Sequence, residues 1–425
     1  KPAASRRPPP YDESTMLEAS PSFPDPPIGV FDAAAYRQFD PGPGRVVRAG
    51  RPVPGAPGRI LVVGLTAAGD VIHFLPVVGV LRRAFPGARV EWVVQDKARA
   101  VVEGRSDLEA VHVFERHRWG RGLLLPARWV ATLREILAFA RALRSGKDGE
   151  GRGDRGRIDQ GRCDLLIDPQ GTFKSALVNL LSGAPVRVGF ARGFCREGNH
   201  LSTHVLVALP TQRMHRVRKS LALLRAIGID ASGAGTMFEV PAIVQDAVDR
   251  ELEAAGLVPG KFAVLHPGTS AFGARKRWPV ERFGAVADRV HAEHGLVPVF
   301  ALGPVERPWR EDLVAGVRRA PVRVLEPASL AHLAGILRRS ACLIGSDSAP
   351  LHVASALRTP VVGLYGPTDP VLFAPFYPPA VVVVQGLTCP RCGSPHCNHP
   401  VPRMEAITVD QVMEGVARLF RLTGR

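Results

Sequence analysis

From Arg59 onward the chain sets short, uninterrupted apolar runs against longer segments whose apolar residues recur every three or four positions. "RILVVGL" (59–65) is rich in β-branched residues and shows no alternation, the pattern of a strand buried on both faces. It breaks at "TAAGD", and "VIHFLPVVGVLRRAF" (71–85) then follows helical spacing. Strand, glycine turn and helix in that order imply a parallel sheet covered by helices, because parallel strands need a long crossover. The cycle returns in "ARVEWVVQ" (strand), "WVATLREILAFARALRS" (helix), "CDLLIDPQG" (strand), "SALVNLLSG" (helix) and "VRVGF" (strand).

A hinge-like stretch near 233–241 is followed by a second series. A helix over 244–256 leads into "FAVLHPG", "VERFGAVADRVHAEHG", "VPVFALG", "PWREDLVAGVRR" and "SLAHLAGILRRS". "CLIGSD", "APLHVASALR", "PVVGLYG" and the amphipathic "TVDQVMEGVARLFRL" complete it. A chain of 425 residues exceeds the roughly 250–300 that one core serves. The expectation is two doubly wound α/β domains, 59–240 and 241–425, with a cleft between them as the site. Residues 1–58, rich in Pro and Gly and without a period, are expected to form a disordered arm, and the glycine and charge run 146–162 a surface insertion.

The net charge of +16 is uneven. Residues 59–240 carry 28 basic and 17 acidic side chains, so the excess sits in the first domain and points to an anionic partner. No apolar run reaches the roughly 18 residues of a membrane span, and the amino terminus shows no apolar signal region, so a cytoplasmic protein is expected. Six cysteines in this length do not suggest a disulfide scaffold. Three cluster in "CPRCGSPHCNH"; a reduced loop is expected at Cys389, Cys392 and Cys397, with structural zinc as the alternative.

Three turns end strands at the edge where open α/β sheets bind ligands. In "GLTAAGDVIH", Asp70 reads either as a helix cap or as a general base, and His73 as a helix-surface residue. In "HPGTSAFGARKRWP", Gly268, Thr269 and Ser270 admit phosphate oxygens, and Lys276 can neutralise a departing diphosphate; no Walker pattern is present. In "IGSDSAPLHVASAL", a helix starting near Pro350 offers N–H groups to a diphosphate, with His352 in its first turn; a capping Asp347 or Ser348 and a packed His352 are the plainer reading.

Together these segments resemble the heptosyltransferases, which add L-glycero-D-manno-heptose to the inner core of lipopolysaccharide. The likeness runs from Arg59 to about Leu422, through "ILVVGLTAAGDVIHFLPVVGVLRRAFPGARVEWVV", "CDLLIDPQGTFKSAL", "LHPG", "KRWP", "DSAPLHVA" and "PVVGLYGPTDP" in order. The resemblance implies a GT-B fold, two Rossmann-like domains facing across a cleft, and metal-independent inverting transfer from an ADP-sugar with no cofactor. It matches Asp70 to the catalytic base and Lys276 to the lysine that stabilises the leaving group. It places Asp347, Ser348, Ala349 and His352 at the donor diphosphate with Thr269 and Ser270 beside them, and Glu306 at the ribose. Gln170, Lys174 and the basic loops with Arg116, Arg118, Arg121, Arg192 and Arg196 fall on the acceptor side. The implied partners are ADP-heptose, an anionic lipid-linked glycan bearing Kdo, and the inner face of the inner membrane. Ala349 departs from the family's glycine, and would crowd a phosphate if that position needs positive φ. A relative using another nucleotide sugar or glycan is the alternative. A basic nucleic-acid-binding protein is the remote one, disfavoured because aromatics are only 6% and are not interleaved with the basic loops.

Overall fold

A computed structural model describes residues 28–34, 42–145, 162–235, 238–269, 271–385 and 404–424. The first domain holds β3 (Arg59–Gly64), α1 (Ala68–Ala84), β4 (Arg89–Gln95), β5 (Ala110–Phe114), α2 (Arg116–Leu124) and α3 (Trp129–Ser145). It continues through β6 (Leu165–Ile167), α4 (Phe173–Leu181), β7 (Val186–Phe190), β8 (Val205–Ala208) and α5 (Arg216–Ala226). The second domain runs α6 (Ala242–Ala254), β9 (Phe262–His266), α7 (Val280–His294), β10 (Val297–Ala301), α8 (Arg310–Ala315), β11 (Arg323–Leu325) and α9 (Leu330–Arg339). It ends with β12 (Cys342–Ser346), α10 (Ala349–Ala356), β13 (Val361–Tyr365), α11 (Pro370–Phe373), β14 (Ala380–Val384) and α12 (Val409–Thr423).

Six strands of each domain follow one order, β8-β7-β6-β3-β4-β5 and β14-β13-β12-β9-β10-β11, all parallel. This is the dinucleotide-fold order, which reverses direction between its first and fourth strands. The reversals lie at the β3–β6 and β9–β12 pairs. Crossovers leave toward opposite faces there, so a crevice opens at the strands' carboxyl ends.

The arm expected to be disordered is in part ordered. Gly29–Asp32 forms β1, antiparallel to β14 at the edge of the second sheet, and Arg45–Ala49 forms β2, antiparallel to β8 at the edge of the first. The arm thus closes one open edge of each sheet. Backbone pairing does this without a long apolar pattern, and the Val30 carbonyl also accepts from Arg418 on α12 at 3.0 Å. That helix begins with a capping box at Thr408 and Gln411 and buries Val412, Val416 and Leu419 against the second sheet.

An ion pair is buried inside the first sheet. Glu91 on β4 accepts from Arg59 Nε and Nη2 at 2.7 and 2.6 Å and lies 2.8 Å from His112 Nε2. Burial alone would raise its pKa, but the hydrogen bonds from Arg59 and His112 outweigh that and hold it below the usual 4.5. A depressed carboxylate stabilises fully above its unfolded pKa and stops stabilising as pH falls through the lower folded value. Glu91→Ala, which strands the buried Arg59 guanidinium, should therefore cost about 3–5 kcal/mol at pH 7, read by urea unfolding. The deficit relative to the native protein should shrink below about pH 4.

Candidate active site

The turn after β3 delivers Asp70. Helix α1 starts one residue after Ala67, which makes no side-chain cap, so Asp70 sits inside the first turn and is not the cap. Its Oδ2 accepts from Thr66 Oγ1 at 2.8 Å. The turn after β6 is tied to the same place: buried Asp168 accepts from the Gln170 and Gly171 amides and from Asn179 and Asn199. Gln170 then bonds both backbone groups of Leu65. Its role in the structure is a brace between the two turns, and it also lines a cavity described below.

In the second domain the turn after β9 brings Gly268, buried Thr269 and, through a 3-10 turn, Lys276. The Thr269 hydroxyl donates to the Gly273 carbonyl at 2.8 Å and accepts from Arg277 Nε at 3.2 Å. Glu306 is buried against Gly268, accepting from the Gly303 amide at 3.0 Å. A Cβ on Gly268 would lie 1.9 Å from Glu306 Oε1, so glycine is what allows this approach. After β12, Ser348 precedes α10 without making a side-chain cap, and its buried Oγ has no partner.

The two domains meet helix start to helix start. A Cβ at Gly69 would come within 3.3 Å of the His352 ring and 3.8 Å of the Ala349 Cα. His73 Nε2 lies 3.2 Å from His352 Nδ1, His352 Nε2 donates to Asp347 Oδ1 at 3.0 Å, and Lys276 Nζ donates to Asp347 Oδ2 at 2.7 Å. Burial would raise the Asp347 pKa, but the His352 hydrogen bond and the Lys276 charge bring it down to about 2. Burial, with the neighbouring His352 and His215, keeps His73 neutral. His215 edges against His73, and its Nε2 donates to the Ala374 carbonyl at 2.9 Å; burial takes its pKa down to about 3.

Two cavities flank this seam. One of about 680 Å³ is lined by both helix starts, by Lys276, Asp347 and His352, and by Thr269 and Glu306 from the second domain. The other, of about 300 Å³, lies mostly in the first domain with Leu372 of the second at its edge, and there Arg196, Arg216 and Lys219 face Gln170 and Thr172. Asp70 lines both. Burial, with the charges of Arg216 and Arg196, lowers Lys219 to about 8.

The family model for glycosyltransferase family 9 (heptosyltransferase) matches residues 155–400, more than half of the chain. The chain belongs to that family. It is 27% identical over 343 residues to lipopolysaccharide heptosyltransferase 1 of Pseudomonas aeruginosa, covering 80% of this chain and 88% of the relative. A family 9 glycosyltransferase from Veillonella parvula shares the fold at a TM-score of 0.68 and 22% identity, over 86% of this chain and 98% of its own. The heptosyltransferase WaaC of Escherichia coli, solved with ADP, gives 0.64 and 24%, over 85% and 99%. The fold is GT-B, as the resemblance implied, and the protein is a glycosyltransferase, so the nucleic-acid alternative gives way.

In this family 9 enzyme Thr269, Lys276, Glu306, Asp347, Ser348, Ala349 and His352 gather around the larger cavity. Ser270 and the Cys389, Cys392 and Cys397 loop lie outside the described residues. Ala349 is the first residue of α10 and does not have positive φ, so its β-carbon is compatible with that helix start. Of the acceptor-side residues, Gln170 and Arg196 line the smaller cavity, whereas Arg116, Arg118, Arg121, Lys174 and Arg192 line neither. Arg118 is paired with Glu135 at 2.6 Å on the exposed side of α2. Lys174 is half-buried, and burial with the charges of Arg116 and Lys97 lowers its pKa.

His73, expected on the helix surface, is buried at 3% exposure because the second domain covers that face of α1. Arg216 and Lys219 were not singled out; their only signal is the basic run "HRVRK" opening the helix after β8. Gly268→Ala should expel Glu306 from its site and lower stability by about 1–3 kcal/mol, measured by denaturant unfolding. Gly268→Ala combined with Glu306→Ala should recover most of that loss.

Proposed function

We propose that this glycosyltransferase moves L-glycero-D-manno-heptose from ADP-heptose to the Kdo-bearing inner core of a lipopolysaccharide precursor, by one inverting displacement and without a metal. The observation that carries the reading is Asp70, one carboxylate bordering both cavities. The name of the Pseudomonas relative, and of WaaC solved with ADP-2-deoxy-2-fluoro heptose, support the choice of sugar.

The ADP-sugar occupies the larger cavity. Its diphosphate meets the uncapped start of α10, the Ser348 hydroxyl and Lys276, all donors or cations without a competing capping side chain. Glu306 accepts from ribose hydroxyls. The acceptor enters the smaller cavity, where Arg196, Arg216 and Lys219 suit the carboxylate of a Kdo residue. Asp70 takes the proton from the acceptor hydroxyl as its oxygen attacks the anomeric carbon. The bond to ADP breaks on the opposite face, and Lys276 and the helix start stabilise the charge that leaves.

ADP release by the purified protein should require both ADP-heptose and a Kdo-bearing lipid A acceptor, and Asp70→Asn should lower kcat by about 10²–10⁴-fold. Turnover only with a UDP- or GDP-sugar would overturn the donor assignment. Lys276→Ala should reduce kcat by more than it weakens ADP-sugar binding, since its charge is matched to the leaving group; equal losses would remove that role. Lys219 is cationic below its pKa of about 8 and neutral above it. Accordingly kcat/KM for the acceptor should fall as pH rises past about 8, and Lys219→Arg should abolish that fall.

A further inference from the structure

A row of polar contacts crosses the domain seam and ends on the donor side. His73 on α1 places its Nε2 3.2 Å from His352 Nδ1 on α10, and His352 Nε2 lies 3.0 Å from Asp347 Oδ1. Both ring nitrogens of His352 are thereby committed, so this buried ring has none to offer a phosphate. His73 borders the larger cavity, yet its nitrogens do not open onto it: Nε2 is taken by His352, and Nδ1 is shut away from water without a partner. Whatever the two histidines do for the donor, they do through Asp347.

Hydrogen-bond direction follows from the far end of the row. Asp347 also accepts from Lys276 Nζ and is ionised, so it can only accept from His352, whose proton sits on Nε2. A neutral imidazole protonated there is bare at Nδ1 and needs a donor, and His73 Nε2–H is the group that meets it. The reverse direction would put protons on both nitrogens of His352 and one on His73 Nδ1. That would bury an N–H with no acceptor, the rarer kind of orphan, under the positive charge of nearby Arg216. Nor can the His352 ring turn aside freely, since a Cβ at Gly69 would already stand 3.3 Å from it. The bonds therefore run from His73 to His352 to Asp347.

We propose that His73 is a positioning residue of the donor site: from the acceptor domain it fixes His352 as the Nε2–H tautomer, which keeps the buried Asp347 carboxylate bonded when Lys276 turns to the diphosphate. Without that donor His352 can hold its proton on Nδ1 and present a lone pair to Asp347. Lys276 is then the one side chain left to balance a carboxylate that is 3% exposed, and the diphosphate has to compete for it. Because the bond spans the seam, the donor site is complete only while the two domains are in contact. The proposal deepens the function given above and rests on its reading of the larger cavity as the ADP-sugar site.

Calorimetric titration of the full chain with ADP tests this without an acceptor. His73→Phe, which fills the space but cannot donate, should weaken ADP at least about tenfold, whereas His73→Gln, whose amide N–H reaches about as far as Nε2–H, should stay within about threefold of the native protein. A residue that only packs the seam would give the opposite order, Phe tolerated and Gln not, and that result overturns the proposal. In Asp347→Asn the carboxylate served by the two histidines is gone, so adding His73→Phe should change ADP affinity by less than about twofold; a loss of about tenfold persisting there also overturns it. Two-bond ¹H–¹⁵N spectra of the ligand-free protein, with His352 assigned by its loss in His352→Gln, should show an Nε2–H tautomer that His73→Phe shifts toward Nδ1–H. A native His352 that is protonated on Nδ1 excludes His73 as its donor. Native protein that binds no ADP would overturn the donor-cavity reading and this role together, while ADP binding that His73→Phe leaves intact overturns the role of His73 alone.

Discussion

The reversal of strand order in the two sheets is the constraint on which the site depends. Helices leaving the first and fourth strands go to opposite faces, so the turns at their carboxyl ends stay uncovered and adjacent. Asp70 follows one such strand and Gln170 its neighbour; Thr269 follows one in the second domain and Asp347 its neighbour. Four segments distant in the chain meet because two sheets share one topology and their crevices face each other. Gly69 then lets the second domain's helix start come within contact of the first.

Across that seam the electrostatics are divided. The interface is crossed by buried histidines, of which burial keeps His73 and His215 uncharged, and Arg213 crosses it paired with Asp369. Lys276 and Asp347 are paired on the donor side, but the lysine side chain is 37% exposed. The Asp347 carboxylate is only 3% exposed and keeps its His352 hydrogen bond, so the lysine is the partner that can reach a phosphate in the cavity. On the acceptor side the cations are crowded together, and Lys219 is held by the Phe194 carbonyl over the Phe190 ring. An anion entering there relieves repulsion as well as making new contacts.

Much of this was legible in order along the chain. Buried parallel strands are continuous apolar runs, and turns at their ends are small and polar, so the two domains and the donor-side turns could be read from local pattern. The acceptor side was read less well. Arginines in "ERHRWGR" and "HRVRK" look alike in sequence, yet the first group lies on the exposed side of α2 and the second opens a helix that faces the cavity. Periodicity reports that a helix has a covered face and cannot say what covers it, which is why His73 was read as a surface residue. Strands β1 and β2 escaped notice because an edge strand of four or five residues is defined by its partner's free backbone groups.

By itself the sequence determined the elements, their order and the chemical types available at each turn, since those follow from the period of apolar residues and from local backbone freedom. Only the tertiary structure decided which side chains share a cavity. It alone placed Asp70 on the border of two cavities and joined His73 to His352 across the domains. Each of these is a meeting between residues far apart in the chain, and local pattern carries no information about such meetings.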